Sequence, residues 1–329
     1  MIKKIFAVTI SILAFTFVSY AIGASKNDKQ NDSDALTIIG FSQIGAESYW
    51  RLAHTQSMKK TFSGNDGYKL IIKDAQQRQS RQIAAIRDFI AKKVDFIVLA
   101  PVTEAGWDNV LKEAKNAGIP FIIVDQMIKT ASNELFTCWV GSDFRKEGDL
   151  AVSWMEKTFG RDKELIIAHL QGNLGSSAQI GRTEPLKAAE RRNHAWKVIA
   201  RESGYFTTVK GKEAMERFLK LHPRIDVLYC ENDNMAFGAI EAMEALGRTY
   251  GVKGATKIIS FDATHAGLTA TLEGKINYNV ECNPLHGPRV KEIVRQLKKG
   301  KHPEKFSHME EAAFDAATIT RADIDKREY

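Results

Sequence analysis
The sequence predicts an α/β fold of two doubly wound, mainly parallel-sheet lobes. Short apolar runs bounded by turn residues alternate with segments whose apolar residues recur at helical spacing. That alternation runs through one series and starts again near residue 143. About three hundred residues follow an apolar leader, more than one core ordinarily holds. Strands alternating with helices imply right-handed crossovers and parallel sheets.

In the first series, residues 36–41 read as a buried strand, followed by a helix over 48–62. A strand at 68–73 leads to a helix over 78–92, in which Ile83, Ile86, Phe89 and Ile90 fall on one face. A strand at 95–100 precedes a helix over 107–117 that stops at Gly118, the glycine position beyond a helix end. Strands follow at 119–125 and 135–140. The second series reads helix 143–159, strand 164–169, helix 177–191, strand 196–201, helix 210–221, strand 225–229, helix 233–246 and strand 257–261. A strand at 276–281 and a helix over 288–299 complete it.

The chain opens on Lys3 and Lys4, then the apolar run Ile5 to Ala21, then small residues up to Ala24. A basic head, an apolar core and small residues at the exit describe a secretory signal peptide over 1–24, with a polar linker over 25–34. An uncleaved anchor is the alternative, but the run would span only roughly 25 Å as a helix, short of a ~30 Å hydrocarbon core. Export to the periplasm follows from this reading.

Composition is that of an ordinary globular protein, 44% hydrophobic and 26% charged. Removing Lys3 and Lys4 takes the formal charge from +7 to +5. The basic pairs are scattered near predicted helix ends, which describes solvated faces and excludes a nucleic-acid track. Cys138, Cys230 and Cys282 are widely spaced and odd in number. Either one pair bridges or all three are buried small residues. No metal ligand set is read from spacing, including Asp262 with His265, and no cofactor is expected. Gly172-Asn-Leu-Gly-Ser176 lacks the lysine of a phosphate-binding loop, and no nucleophile elbow occurs.

In open α/β sheets, ligands sit outside the carboxyl ends of the strands. Two facing lobes therefore gather those loops at one cleft. The loops carry the carboxylates Glu47, Asp74, Asp125, Asp233, Asp262 and Glu281, and the guanidiniums Arg51 and Arg182. They also carry the amides Gln126 and Asn232 and the aromatics Trp50, Trp107 and Phe206. Sugars need this set. Hydroxyls donate to carboxylates and accept from guanidiniums and amides, and the apolar sugar face packs on a ring.

Gly40-Phe-Ser-Gln-Ile-Gly-Ala-Glu-Ser-Tyr-Trp-Arg51 resembles the first strand and loop of periplasmic sugar-binding proteins of ABC importers. Lys73-Asp-Ala-Gln-Gln-Arg-Gln79, Ala100-Pro-Val102, Gly106-Trp107 and Lys210-Gly-Lys-Glu-Ala-Met215 continue the likeness. Asn232-Asp233, Asp262 and Val280-Glu281 extend it, so that it covers 36–329. The resemblance implies a three-crossing hinge near Val140-Gly141, Cys282-Asn283 and Met309-Glu310. The lobes would then be 35–141 with 283–309, and 142–282 with 310–329. It implies a monosaccharide ligand, a furanose such as galactofuranose, held by Glu47, Trp50, Arg51, Asp125, Gln126, Arg182, Phe206, Asn232, Asp262 and Glu281. It also implies a monomer that delivers the ligand to membrane permease subunits without chemistry. A sensor module for a membrane kinase or chemoreceptor uses the same cleft and is the alternative. A sugar-modifying enzyme would need an acid/base pair. Gln126 stands where the family usually has an arginine, and an amide cannot make the guanidinium's two-pronged contact.

Overall fold
The computed structural model describes residues 36–329; the expected signal peptide and polar linker lie outside them. The chain runs β1 (Thr37–Gln43), α1 (Tyr49–Thr61), β2 (Tyr68–Asp74), α2 (Gln79–Ala91), β3 (Phe96–Leu99), α3 (Asp108–Asn116), β4 (Phe121–Val124) and β5 (Cys138–Gly141). It then runs α4 (Phe144–Phe159), β6 (Leu165–Gln171), α5 (Ser177–Arg192), β7 (Trp196–Ser203), α6 (Thr208–Leu221), β8 (Val227–Cys230) and α7 (Asp233–Ala245). Last come β9 (Lys257–Asp262), α8 (His265–Leu272), β10 (Tyr278–Glu281), α9 (His286–Lys298), β11 (Phe306–His308), β12 (Ala313–Asp315) and α10 (Arg321–Asp325).

Two six-stranded sheets result, ordered β11-β5-β4-β3-β1-β2 and β12-β10-β9-β8-β6-β7. The orders superpose strand for strand, so β1 corresponds to β6, β4 to β9 and β5 to β10. Pairing is parallel except between β10 and β12. The predicted fold class is the observed one. The chain passes between the sheets after β5, after β10 and between β11 and β12. Among the described residues no helix is long and apolar enough to cross a membrane.

The central strands are apolar on both faces because helices cover both. Every residue of β3 and β4 is buried. Helix α2 buries Gln82, Ala85, Ile86 and Phe89 against its sheet, while Ile83 and Ile90 lie at the stripe's margin. Each fully buried Ile or Phe side chain contributes about 1.5–3 kcal/mol. The three cysteines are buried and unbridged.

The strand expected at 135–140 begins only at Cys138. Residues 133–135 instead form a tight turn, with the Ser132 hydroxyl accepting from Glu134 N. Helix α8, absent from the sequence reading, has no apolar stripe. Thr264 starts it, its Oγ1 accepting from Gly267 N at 3.0 Å.

Candidate functional site
In the first lobe, β1 ends at Gln43 and the chain turns into α1. Ser48 caps that helix, its Oγ accepting from Arg51 N at 3.1 Å. The cap puts Glu47 and Arg51 on one side of the first turn, where Arg51 Nε donates to Glu47 Oε1 at 3.0 Å. Arg51 Nη1 lies 2.8 Å from Asp125 Oδ2, a close ion pair whose angles fall short of a hydrogen bond. Gln43 Oε1 and His54 Nδ1, each 3.3 Å from Nη1, support the guanidinium from behind. The Trp50 ring lies under it at 4.7 Å.

Asp125 follows β4 with φ +64°. Such a conformation costs about 1–3 kcal/mol outside glycine and persists only when neighbours enforce it. Trp139 Nε1 donates to Asp125 O at 3.0 Å, and Gly141 runs alongside so closely that a Cβ there would meet the same oxygen at 2.2 Å.

The second lobe places an arginine and a strand-end aspartate on corresponding elements, while its other carboxylate comes from α4. Arg182, on α5, donates through Nε to Glu147 Oε2 at 2.6 Å and through Nη1 to Glu231 O, with Nη2 3.4 Å from Asp262 Oδ1. Asp262 closes β9 with φ +99°, followed by Ala263 at +48°. Buried Asp233 holds that loop: it accepts from Thr264 N at 2.9 Å, Thr264 Oγ1 at 2.8 Å, Asn279 Nδ2 at 2.8 Å and Ser260 Oγ at 2.7 Å. Phe206, with φ +61°, occupies space that only a glycine at 172 leaves open. Asn232 caps α7, its Oδ1 accepting from Met235 N and its Nδ2 donating to Phe206 O.

These groups surround one small cavity between the sheets. Nine of the ten expected residues line it: Glu47, Trp50, Arg51, Asp125, Gln126, Arg182, Phe206, Asn232 and Asp262. Glu281 is a correction. Its carboxylate turns to the chain terminus, accepting from Arg327, from Tyr329 Oη at 2.8 Å and from Ala312 N at 2.9 Å. Ser48, Phe144, Ala178 and Cys282 complete the lining, and Glu147 stands behind Arg182; the sequence reading named none of them as ligand contacts. Asp74 accepts from Gln76 N in its own turn, and Trp107 is core, donating to Thr103 O.

The lobes touch across the cleft. Tyr49 N donates to Asn234 Oδ1 at 3.0 Å, Met127 N to Ser177 Oγ at 2.8 Å, Glu104 N to Gly175 O at 3.1 Å, and Trp50 Nε1 to Cys282 O at 2.6 Å. The enclosed groups are therefore buried. Burial pushes the Asp125 carboxyl above the usual carboxylate range, with Arg51 opposing. Burial pushes Asp262 well above it, against Arg182. Burial also works against the charge on Arg51, yet Asp125 and Glu47 outweigh it and hold the guanidinium above its ordinary value.

Each lobe thus presents one guanidinium flanked by two carboxylates. Two acceptors on lining residues, Glu47 Oε2 and Gln126 Oε1, have no donor, and Asp125 Oδ2 has only its ion pair with Arg51. Such a surface suits a small molecule rich in hydroxyl donors, with the Trp50 and Phe206 rings offering apolar faces.

Residues 39–286 match the model of a periplasmic binding protein domain. The chain is 37% identical over 273 residues to the galactofuranose-binding protein YtfQ of Escherichia coli (strain K12), covering 82% of this chain and 85% of that protein. A Mycobacterium smegmatis structure in complex with β-D-fucofuranose superposes with TM-score 0.82 at 40% identity, over 86% of this chain and 92% of that one. The periplasmic component of the arabinose ABC transporter from Shewanella sp. ANA-3, bound to α- and β-L-arabinofuranose, gives TM-score 0.83 at 36% identity, over 89% and 96%.

Proposed function
Since this chain belongs to the periplasmic binding protein domain family, we propose that it captures a monosaccharide in furanose form between its lobes and hands it unaltered to an ABC importer. Relatives named for galactofuranose, fucofuranose and arabinofuranose support the ligand class. The observation that carries the reading is the pair of buried guanidiniums, Arg51 and Arg182, each flanked by two carboxylates and facing one small cavity from corresponding positions in the two sheets. Bonds to charged groups contribute about 1.5–3 kcal/mol each, so three or four with one stacking contact reach the roughly −8 kcal/mol of micromolar binding. Glu47, Trp50, Arg51, Asp125, Gln126, Arg182, Phe206, Asn232 and Asp262 are the contacts in this reading. Export to the periplasm, the permease partner, the monomeric state and the lack of catalysis belong to the same proposal.

The test is a thermal-shift screen with L-arabinose, D-galactose and D-fucose. A ligand at 100 times its dissociation constant stabilises by about 2.7 kcal/mol. Asp125→Asn keeps the side chain's shape but removes its charge, and the shift is expected to vanish. A shift unchanged in Asp125→Asn, or chemical conversion of the bound sugar, overturns the proposal.

A further inference from the structure
The three passages between the sheets converge on one carboxylate. Glu311, between β11 and β12, accepts from Asn283 N, just after β10, at 2.8 Å and from Ser142 Oγ, just after β5. The Cys282 sulfur lies 3.2 Å from the same Ser142 hydroxyl. Glu147 reaches in from α4. A carboxylate oxygen of Glu147, one of Glu311 and the Cys282 sulfur all lie within 4.8 Å of one another. Glu147 is 2% exposed; Arg182 takes its Oε2, while Oε1 has no partner. A buried acceptor without a donor is costly, and here it belongs to a cluster of two carboxylates and a thiol. A cavity lined in part by Glu147, Glu311, His308 and Glu310 leads to the cluster and provides an entry path.

We propose that Glu147, Cys282 and Glu311 form a binding site for a zinc-class divalent cation that pins the hinge. Two carboxylates with one thiolate suit a borderline cation rather than calcium or magnesium, which take oxygen ligands alone. Three protein ligands leave the fourth tetrahedral position to water. Supporting groups are in place, Arg182 on Glu147, and Ser142 with Asn283 N on Glu311. On binding, the thiol and any protonated carboxyl of the pair release their protons to water. The two carboxylates and the thiolate then balance the cation and Arg182. The ligands come from three separated segments, so no spacing in the sequence signals them.

The test needs no sugar, so its outcome is read separately from the transport reading, although Cys282 also lines the sugar cavity. The full folded protein, stripped with a chelator, is titrated with Cd²⁺ and Zn²⁺. One Cd²⁺ per chain is expected, with a sulfur-to-cadmium ultraviolet band that Zn²⁺ displaces and Ca²⁺ or Mg²⁺ does not. Cys282→Ser abolishes the band. Glu311→Gln, which still accepts from Ser142 and Asn283, weakens Zn²⁺ by at least about 10-fold and carries the test alone if the serine variant does not fold. Absence of saturable binding, a band that survives Cys282→Ser, or unchanged Zn²⁺ affinity in Glu311→Gln overturns the proposal.

Discussion
Two buried imidazoles behind the cleft make this protein sensitive to acid in a way a single substitution can isolate. His54, on α1, and His286, opening α9, are fully buried with ring centroids 4.8 Å apart. His54 Nδ1 faces Arg51 and Gln43 Nε2, so it accepts and carries no proton. Neither nitrogen of His286 has a partner. Burial, reinforced by His286 and Arg51, holds His54 well below its ordinary value. Burial, with Arg51 adding, lowers His286 from 6.5 to about 3. The unfolded chain takes up these protons near pH 6.5 and the folded chain does not, so the neutral rings' contribution is complete above pH 6.5 and is lost as pH falls. Each group contributes about 1.4 kcal/mol per pH unit, so at about pH 4.5 His286 alone costs about 3 kcal/mol. That is a large part of a typical 5–15 kcal/mol stability. Asp125, Asp262 and Glu147, raised by burial, act with the opposite sign, but equally in both proteins compared. His286→Phe keeps a ring and removes two unpartnered nitrogens. Urea denaturation at pH 7.5 is expected to find it as stable as the parent, and at pH 4.5 about 3 kcal/mol more stable. Parallel losses in the two proteins would refute the reasoning.

Three further outcomes follow from the geometry. Gly172→Ala would place a Cβ 1.9 Å from the Phe206 ring; calorimetry should show sugar binding weakened by tenfold or more, with about 1–3 kcal/mol of stability lost to overpacking. Ser177→Ala removes the bond from Met127 N across the cleft, worth about 1 kcal/mol; titration should give roughly fivefold weaker sugar binding with an unchanged melting temperature in the absence of sugar. Arg182→Ala leaves Glu147 and Asp262 buried without their counter-charge; denaturant unfolding of the ligand-free protein should lose about 3–5 kcal/mol.

The sheets were legible because β3 and β4 are apolar on both faces, and only a covered parallel strand reads that way. Asp125 and Asp262 were legible as polar residues ending such strands. Glu281 misled for a physical reason. Strand-like backbone sends successive side chains to opposite faces, so 281 and 282 cannot both look into the cleft, and Cys282 is the one that does. Glu147 was hidden because a glutamate in the first turn of a helix ordinarily reads as solvated. Only the packing of α4 against α5 shows that it is buried against Arg182. His54 was hidden because it acts on Arg51 rather than on the cavity.

Correspondence between the sheets explains why neither half suffices. Arg51 with Glu47 and Asp125 carries a net negative charge, and so does Arg182 with Glu147 and Asp262. Bringing two such surfaces together in a buried cavity costs energy unless protons or donors enter between them. Burial pushes Asp262 well above the carboxylate range against the pull of Arg182, which marks where that cost falls. Glu47 Oε2 and Gln126 Oε1 remain as acceptors that, in the proposed reading, a hydroxylated ligand satisfies and an anionic one does not. In the proposed reading, closure and selection are one event. The lobes meet at low cost only around a molecule that donates, and Gln126, which adds an acceptor without adding a cation, makes that demand stricter than a guanidinium there would.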